Sequence, residues 1–162
     1  MIENEKKKVN YIRTFPVPLA LNENQDDLTI NTETSTKHSK DQIINQALEF
    51  HLQGNILKAQ KYYQYCINQG FNNSQVFSNY GIIQKGFGKL KEAEISQRKA
   101  IELSPDLAEA HSSLGNILLD LGQLQEAESS LRKAIELKPN SAEAHSNLGN
   151  ILKDIGKLKE AE

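Results

Sequence analysis

From residue 40 onward the apolar positions keep a helical beat. Leu114, Ile117, Leu118 and Leu121 recur three or four residues apart, which predicts a helix with one apolar stripe. Gly122 follows at once and marks the stop, since glycine turns into the left-handed region without a Cβ penalty. A second stripe, Ala127, Leu131, Ala134, Ile135 and Leu137, predicts a second helix, and Pro139 ends it by withholding an N–H. No alternating pattern predicts a strand.

This unit recurs. Gly81, Gly115 and Gly149 are evenly spaced, and the same step separates Gly54, Gly88, Gly122 and Gly156, and again Ala59, Ala93, Ala127 and Ala161. A fixed period long enough for two short helices and their turns is the signature of stacked helix pairs, each unable to bury its apolar face alone. The units divide as 40–73, 74–107, 108–141 and a partial 142–162. The expected fold is all-α, a superhelix of antiparallel helix pairs. Box-like pairs fall in phase with the period: Ser39 with Gln42, Asn72 with Gln75, Asp106 with Glu109 and Asn140 with Glu143 each set a short capping side chain three residues ahead of a Glu or Gln.

Gly115 and Gly149 lie inside the first helix of their units, where glycine costs about 0.5–1 kcal/mol relative to alanine. Close approach of a facing helix is the expected compensation. Ala47 takes that place in the first unit, and Cys66, Ala100 and Ala134 are matching small residues on the second helices. Cys66 therefore reads as a packing residue rather than a nucleophile, with no histidine on its helical face nearby.

Residues 1–39 break the pattern. The stretch 22–40 is rich in Asn, Asp, Thr and Ser without any apolar period, which predicts a flexible N-terminal segment. Six bases and six acids cancel over residues 1–40. The apolar strip at 15–21, "FPVPLAL", has the composition to dock in extended form against a partner or the first helices. It is too short and too broken by Pro16 and Pro18 for a secretory core, and no targeting signal is read.

Composition narrows the class. The chain has 162 residues, 38% of them apolar, below the usual range for a compact domain. A net charge of -2 and a pI near 6.1 give no general attraction to nucleic acid or anionic membranes, and neither is expected as a partner. No window is long and apolar enough for a membrane span. A lone cysteine forms no internal disulfide, so a reducing, cytoplasmic setting is the default expectation.

The repeating units resemble tetratricopeptide repeats. Leu-Gly at 114–115 and 148–149, Tyr-Gly at 80–81, alanines at 93, 127 and 161, and prolines at 105 and 139 match that family's signature places. The resemblance covers residues 40–162; the first unit departs from it, with Gln46-Ala47 in place of Leu-Gly and Phe71 in place of proline. The aromatic usual near the start of the first helix is Phe77 in the second unit but His111 and His145 in the next two. One such nitrogen ligand per repeat makes a poor metal site, so no metal is expected, and no cofactor. The resemblance implies a right-handed superhelix with a concave groove lined by first helices, and a role as a scaffold for protein partners.

Within that groove the candidates are Asn79, Asn116, Asn147 and Asn150, at the sixth or ninth place of their units. An amide offers donor and acceptor together, so a ladder of them is suited to holding a peptide by its backbone. The pattern is similar to the asparagine-lined superhelix of O-linked N-acetylglucosamine transferases, and the repeats also resemble those of bacterial tetratricopeptide proteins. Lys85, Asp120, Lys153 and Asp154 are expected to tune the groove's charge. No basic clamp for a terminal carboxylate lines up.

No catalytic residue is predicted. Ser130-x-x-Lys133 lies in a second helix without companion motifs, "GFGK" at 86–89 follows no strand, and Glu92, Glu126 and Glu160 read as exposed helix charges. The apolar face of Leu148, Ile151, Leu152, Ile155 and Leu158 is expected to need a partner beyond Glu162: further repeats, a transferase domain, or a second copy meeting the uncapped end. The alternative role is thus the substrate-recognition arm of a larger glycosyltransferase or sulfotransferase.

Overall fold

The computed structural model describes residues 39–154 and residue 156. The predicted flexible segment at 1–39, all but Ser39 of it, and the partial second helix of the last unit lie outside these. Seven helices follow in order: α1 (Lys40–Leu52), α2 (Ile56–Asn68), α3 (Ser74–Gly86), α4 (Leu90–Leu103), α5 (Ala108–Asp120), α6 (Leu124–Leu137) and α7 (Ala142–Asp154). The described residues contain no strand.

Each turn within a pair is built the same way. At the end of α5, Gly122 N–H donates to Leu119 O and Gln123 N–H to Leu118 O, with Gly122 at φ +74°. This double closure satisfies the last carbonyls of the helix and requires a left-handed residue, so glycine recurs there at 54, 88 and 156. Helix starts are less uniform. Ser39 and Gln42 form the expected reciprocal box at α1. At α3 the cap is Asn73 rather than Asn72, its Oδ1 accepting from the N–H groups of Gln75 and Val76 at 3.0 Å. At α7 Ser141 rather than Asn140 caps, accepting from Ala144 N–H. At α5 there is no side-chain cap, because Leu107 holds the cap position; Asp106, one residue earlier, accepts from the Ser104 hydroxyl. Helices α3, α5 and α7 begin one residue later than the box pairs suggest, so the cap position is shifted too.

Neighbours pack in sequence, α1 on α2 through α6 on α7. First helices also meet across a repeat, α3 with α5 and α5 with α7, whereas among the described residues no comparable contact joins α2 to α4 or α4 to α6. The stack therefore bends toward its first helices, and they line its inner face. Of the two interior glycines expected to meet a facing helix, Gly115 does, since a Cβ there would sit 2.6 Å from Leu131 Cγ. A Cβ on Gly149 meets nothing within 4 Å among the described residues, because the residues expected to face it lie outside them, and Gly81 shows the same approach as Gly115, with Gln97 Nε2 at 2.8 Å.

The core falls into two clusters. One joins Ala47, Ala59, Tyr63, Cys66, Val76 and Ile83; the other centres on Leu114, Leu118, Leu131, Leu148 and Ile151. Between them α4 buries only Ala93, Ser96, Gln97 and Ala100. Gln97 takes the place that Leu131 holds in the next repeat, and it interrupts the apolar run.

Candidate functional site

On α7, Asn147, Asn150 and Asp154 follow one another at three- and four-residue steps, so they share one face of the helix. On α5, Ser113, Asn116 and Asp120 do the same. The two faces are linked directly. Asn147 Nδ2 donates to Asn116 Oδ1 at 2.5 Å, and Asn116 Nδ2 donates to Glu143 Oε1 at 3.2 Å. Asn116 and Asn147 are half-buried, while Asn150 and Glu143 are exposed. Each of the two linked amides still has a donor hydrogen and an acceptor lone pair outside these bonds, the capacity that an incoming peptide backbone needs.

The charged candidates divide. Lys85 Nζ lies 3.1 Å from Asp120 Oδ2, so they form an ion pair that bridges α3 to α5. Both side chains are about a third exposed or more, so the pair fixes charge position more than it stabilises the fold. Lys153 and Asp154 are exposed in the last turn of α7.

Asn79 departs from the expectation. It is 3% exposed, and its Nδ2 donates to Tyr63 Oη at 3.2 Å. The reason is the buried Tyr63 hydroxyl, which needs polar partners once removed from water. Tyr63 Oη also lies 3.3 Å from His51 Nδ1, so His51, Tyr63 and Asn79 form a buried polar chain across α1, α2 and α3. Burial holds the His51 imidazole below its ordinary range and raises the Tyr63 phenol. In the second repeat, then, the sixth-place amide serves the core.

Two features escaped the sequence reading. Glu143 joins the amide pair, yet it lies 27 residues from Asn116 and only the cross-repeat packing brings them together. His111 Nε2 bonds Pro105 O, and His145 Nε2 bonds Pro139 O, each at 2.9 Å, so these histidines tie the inter-repeat loop to the next first helix. The identical spacing of the two Pro–His pairs was the available signal. Cys66 is fully buried, and burial pushes its thiol up to about 11. No three metal-binding side chains are grouped among the described residues, and no helix there is long and apolar enough to cross a membrane.

Comparison with known proteins agrees with the helix-pair architecture. Family models described as tetratricopeptide repeat match residues 74–107 and 97–129, and one described as TPR repeat matches residues 115–156. No curated protein matches the chain. Among solved structures, an O-GlcNAc transferase mutant of Thermobaculum terrenum is similar at 28% identity and a TM-score of 0.65 over 70% of this chain; the match spans only 22% of the transferase. MamA is similar at 18% identity and a TM-score of 0.71, over 76% of this chain and 72% of that one. The first TPR of Spaghetti (RPAP3), bound to the HSP90 peptide SRMEEVD, is similar at 22% identity and a TM-score of 0.68, over 72% and 93% of the two chains. Identities this low for the last two speak to the fold alone. Three family matches running from residue 74 to 156, on helix pairs that repeat at a constant period, make this chain a tetratricopeptide repeat protein.

Proposed function

We propose that residues 40–162 form a binding module that holds an extended segment of another protein against the inner face of the first helices, without chemistry of its own. The seat is the amide pair Asn116 and Asn147 with Asn150 beyond it; Lys85, Asp120, Lys153 and Asp154 set the charge around it. The observation that carries the reading is the Asn147–Asn116 bond, which sets two partly satisfied amides side by side across two repeats. The RPAP3 domain, of the same fold, is bound to a peptide, which supports the class of ligand.

A second reading follows from the likeness to the Thermobaculum terrenum transferase. On that reading the same face of this chain presents a protein substrate to a catalytic domain elsewhere in a longer chain. Both readings use one groove, and a catalytic domain encoded beyond Glu162 would favour the second.

The test is selection of displayed random peptides on the full chain, repeated with Asn116→Ala, Asn147→Ala and Asn150→Ala. Loss of capture in the variants supports the inner-face seat. Undiminished capture by the triple variant removes it.

A further inference from the structure

Charge is unevenly laid along this molecule. Residues 40–91 carry six lysines against Asp41 and Glu49, a net of +4, whereas residues 92–154 carry eleven acids against six bases, a net of -5. On the inner face the first helices α5 and α7 carry Glu109, Asp120, Glu143 and Asp154 against Lys153 alone. The ion pairs Lys85–Asp120 and Lys138–Glu109 redistribute this charge locally but leave the net field of the later repeats acidic.

The N-terminal segment bears the opposite order. Residues 1–21 hold Lys6, Lys7, Lys8 and Arg13 against Glu3 and Glu5, a net of +2; residues 22–39 hold four acids against Lys37, a net of -3. Folded back along the array, the acidic stretch meets the basic first repeats and the basic stretch meets the acidic later ones. The reach is sufficient. At roughly 3.3–3.6 Å per extended residue, residues 22–39 span about 60 Å. Six helix-to-helix steps from α1 to α7, at roughly 8–10 Å each, need no more than that. A tether of this length also gives a high effective concentration.

We propose that residues 1–21 of this chain occupy the inner face of α5 and α7, with Lys6, Lys7, Lys8 and Arg13 toward Glu143 and Asp154, and that a partner must displace them. Pro16 and Pro18 suit this stretch to an extended path across the Asn116–Asn147 seat. The proposal rests on the inner-face reading of the groove and adds that the chain supplies its own competing occupant.

The experiment places a spin label on Asn10→Cys in the full chain and reads paramagnetic broadening of backbone amides by NMR. Cys66, buried and with its thiol raised, stays unlabelled in the folded chain. Broadening should centre on Asn116, Asn147 and Asn150, with more than half the peak intensity lost. It should vanish in Lys6→Glu/Lys7→Glu/Lys8→Glu, and at about 1 M salt, where screening cuts the Debye length to about 3 Å. Broadening that is absent, uniform, or confined to α4 and α6 overturns the proposal. A chain that captures displayed peptides through Asn116 and Asn147 yet gives one of those results loses the self-docking and keeps the groove; a chain that fails both tests loses both.

Discussion

Asn147 reaches across from α7 to donate its amide N–H to Asn116 on α5, at 2.5 Å. This contact joins two repeats on the bent side of the stack, and it places the hydrogen-bonding capacity of the groove where no intrahelical role uses it. A bond from the remaining donor or acceptor of Asn116 to a partner's backbone contributes about 0.5–1.5 kcal/mol net. Asn116→Ala should therefore lower partner affinity by roughly 2- to 13-fold. Its cost to folding, read from chemical denaturation, should stay below about 1 kcal/mol because the site is only half-buried.

Gln97 is fully buried, donates to Ser78 O at 2.8 Å, and leaves its Oε1 without a partner among the described residues. A buried acceptor left unmade costs about 1–3 kcal/mol. Leu131 fills the same place one repeat later, packed over Gly115. Gln97→Leu should accordingly raise the denaturation midpoint, by an amount worth about 1–2 kcal/mol. A lowered midpoint would mean that the bond to Ser78 O outweighs the orphaned oxygen.

Gly115→Ala should destabilise the chain by about 1–3 kcal/mol, because the added carbon meets Leu131 Cγ at 2.6 Å and Ala127 O at 3.3 Å. Trimming the obstructing side chain should recover part of the loss. In a double-mutant cycle with Leu131→Ala, the two substitutions together should therefore cost less than their sum. Additive losses would show that Leu131 is not the obstacle.

His51 makes stability depend on pH. Its folded pKa is below the ordinary 6.5, so below that pH the unfolded chain takes up a proton that the folded core refuses. The contribution of neutral His51 is full above pH 6.5 and is lost as pH falls from there toward the lowered folded value, at no more than about 1.4 kcal/mol per pH unit. Urea midpoints between pH 7 and pH 5 should show this decline, and His51→Gln should flatten it. An unchanged slope in the variant would assign the effect to other groups.

Cys66 should resist thiol reagents until the helices open, since it is fully buried and its thiol is raised to about 11. Labelling by maleimide should track the unfolded fraction in urea. Rapid labelling in buffer would place Cys66 at the surface.

How much of this was legible beforehand follows from the range over which each signal acts. The helix pairs and their glycine stops follow from local backbone chemistry repeated in every unit, and a repeated local signal reinforces itself. The close approach was expected at Gly115 and Gly149 and is present at Gly115, whereas nothing among the described residues faces Gly149. The caps were misplaced by one residue at Asn73 and Ser141, because two adjacent polar residues offer equal candidates until the helix start is fixed. The candidate site was read in part. Asn116 and Asn147 occupy different places in the unit, and only cross-repeat packing makes them neighbours. Asn79 has the same place as Asn147 but faces Tyr63, a contact set by the preceding repeat. A repeat pattern gives the position of a side chain on its helix; what lies opposite depends on the neighbouring unit, which differs from copy to copy.

The most direct test of the central claim is the footprint of a bound peptide on the full chain. A peptide selected by display is titrated into isotope-labelled protein, and amide and side-chain NMR shifts are mapped. The account expects the largest changes at Asn116, Asn147 and Asn150, including their side-chain NH2 signals, with α2, α4 and α6 little affected. Changes confined to the outer second helices, with those three asparagines unmoved, would contradict it.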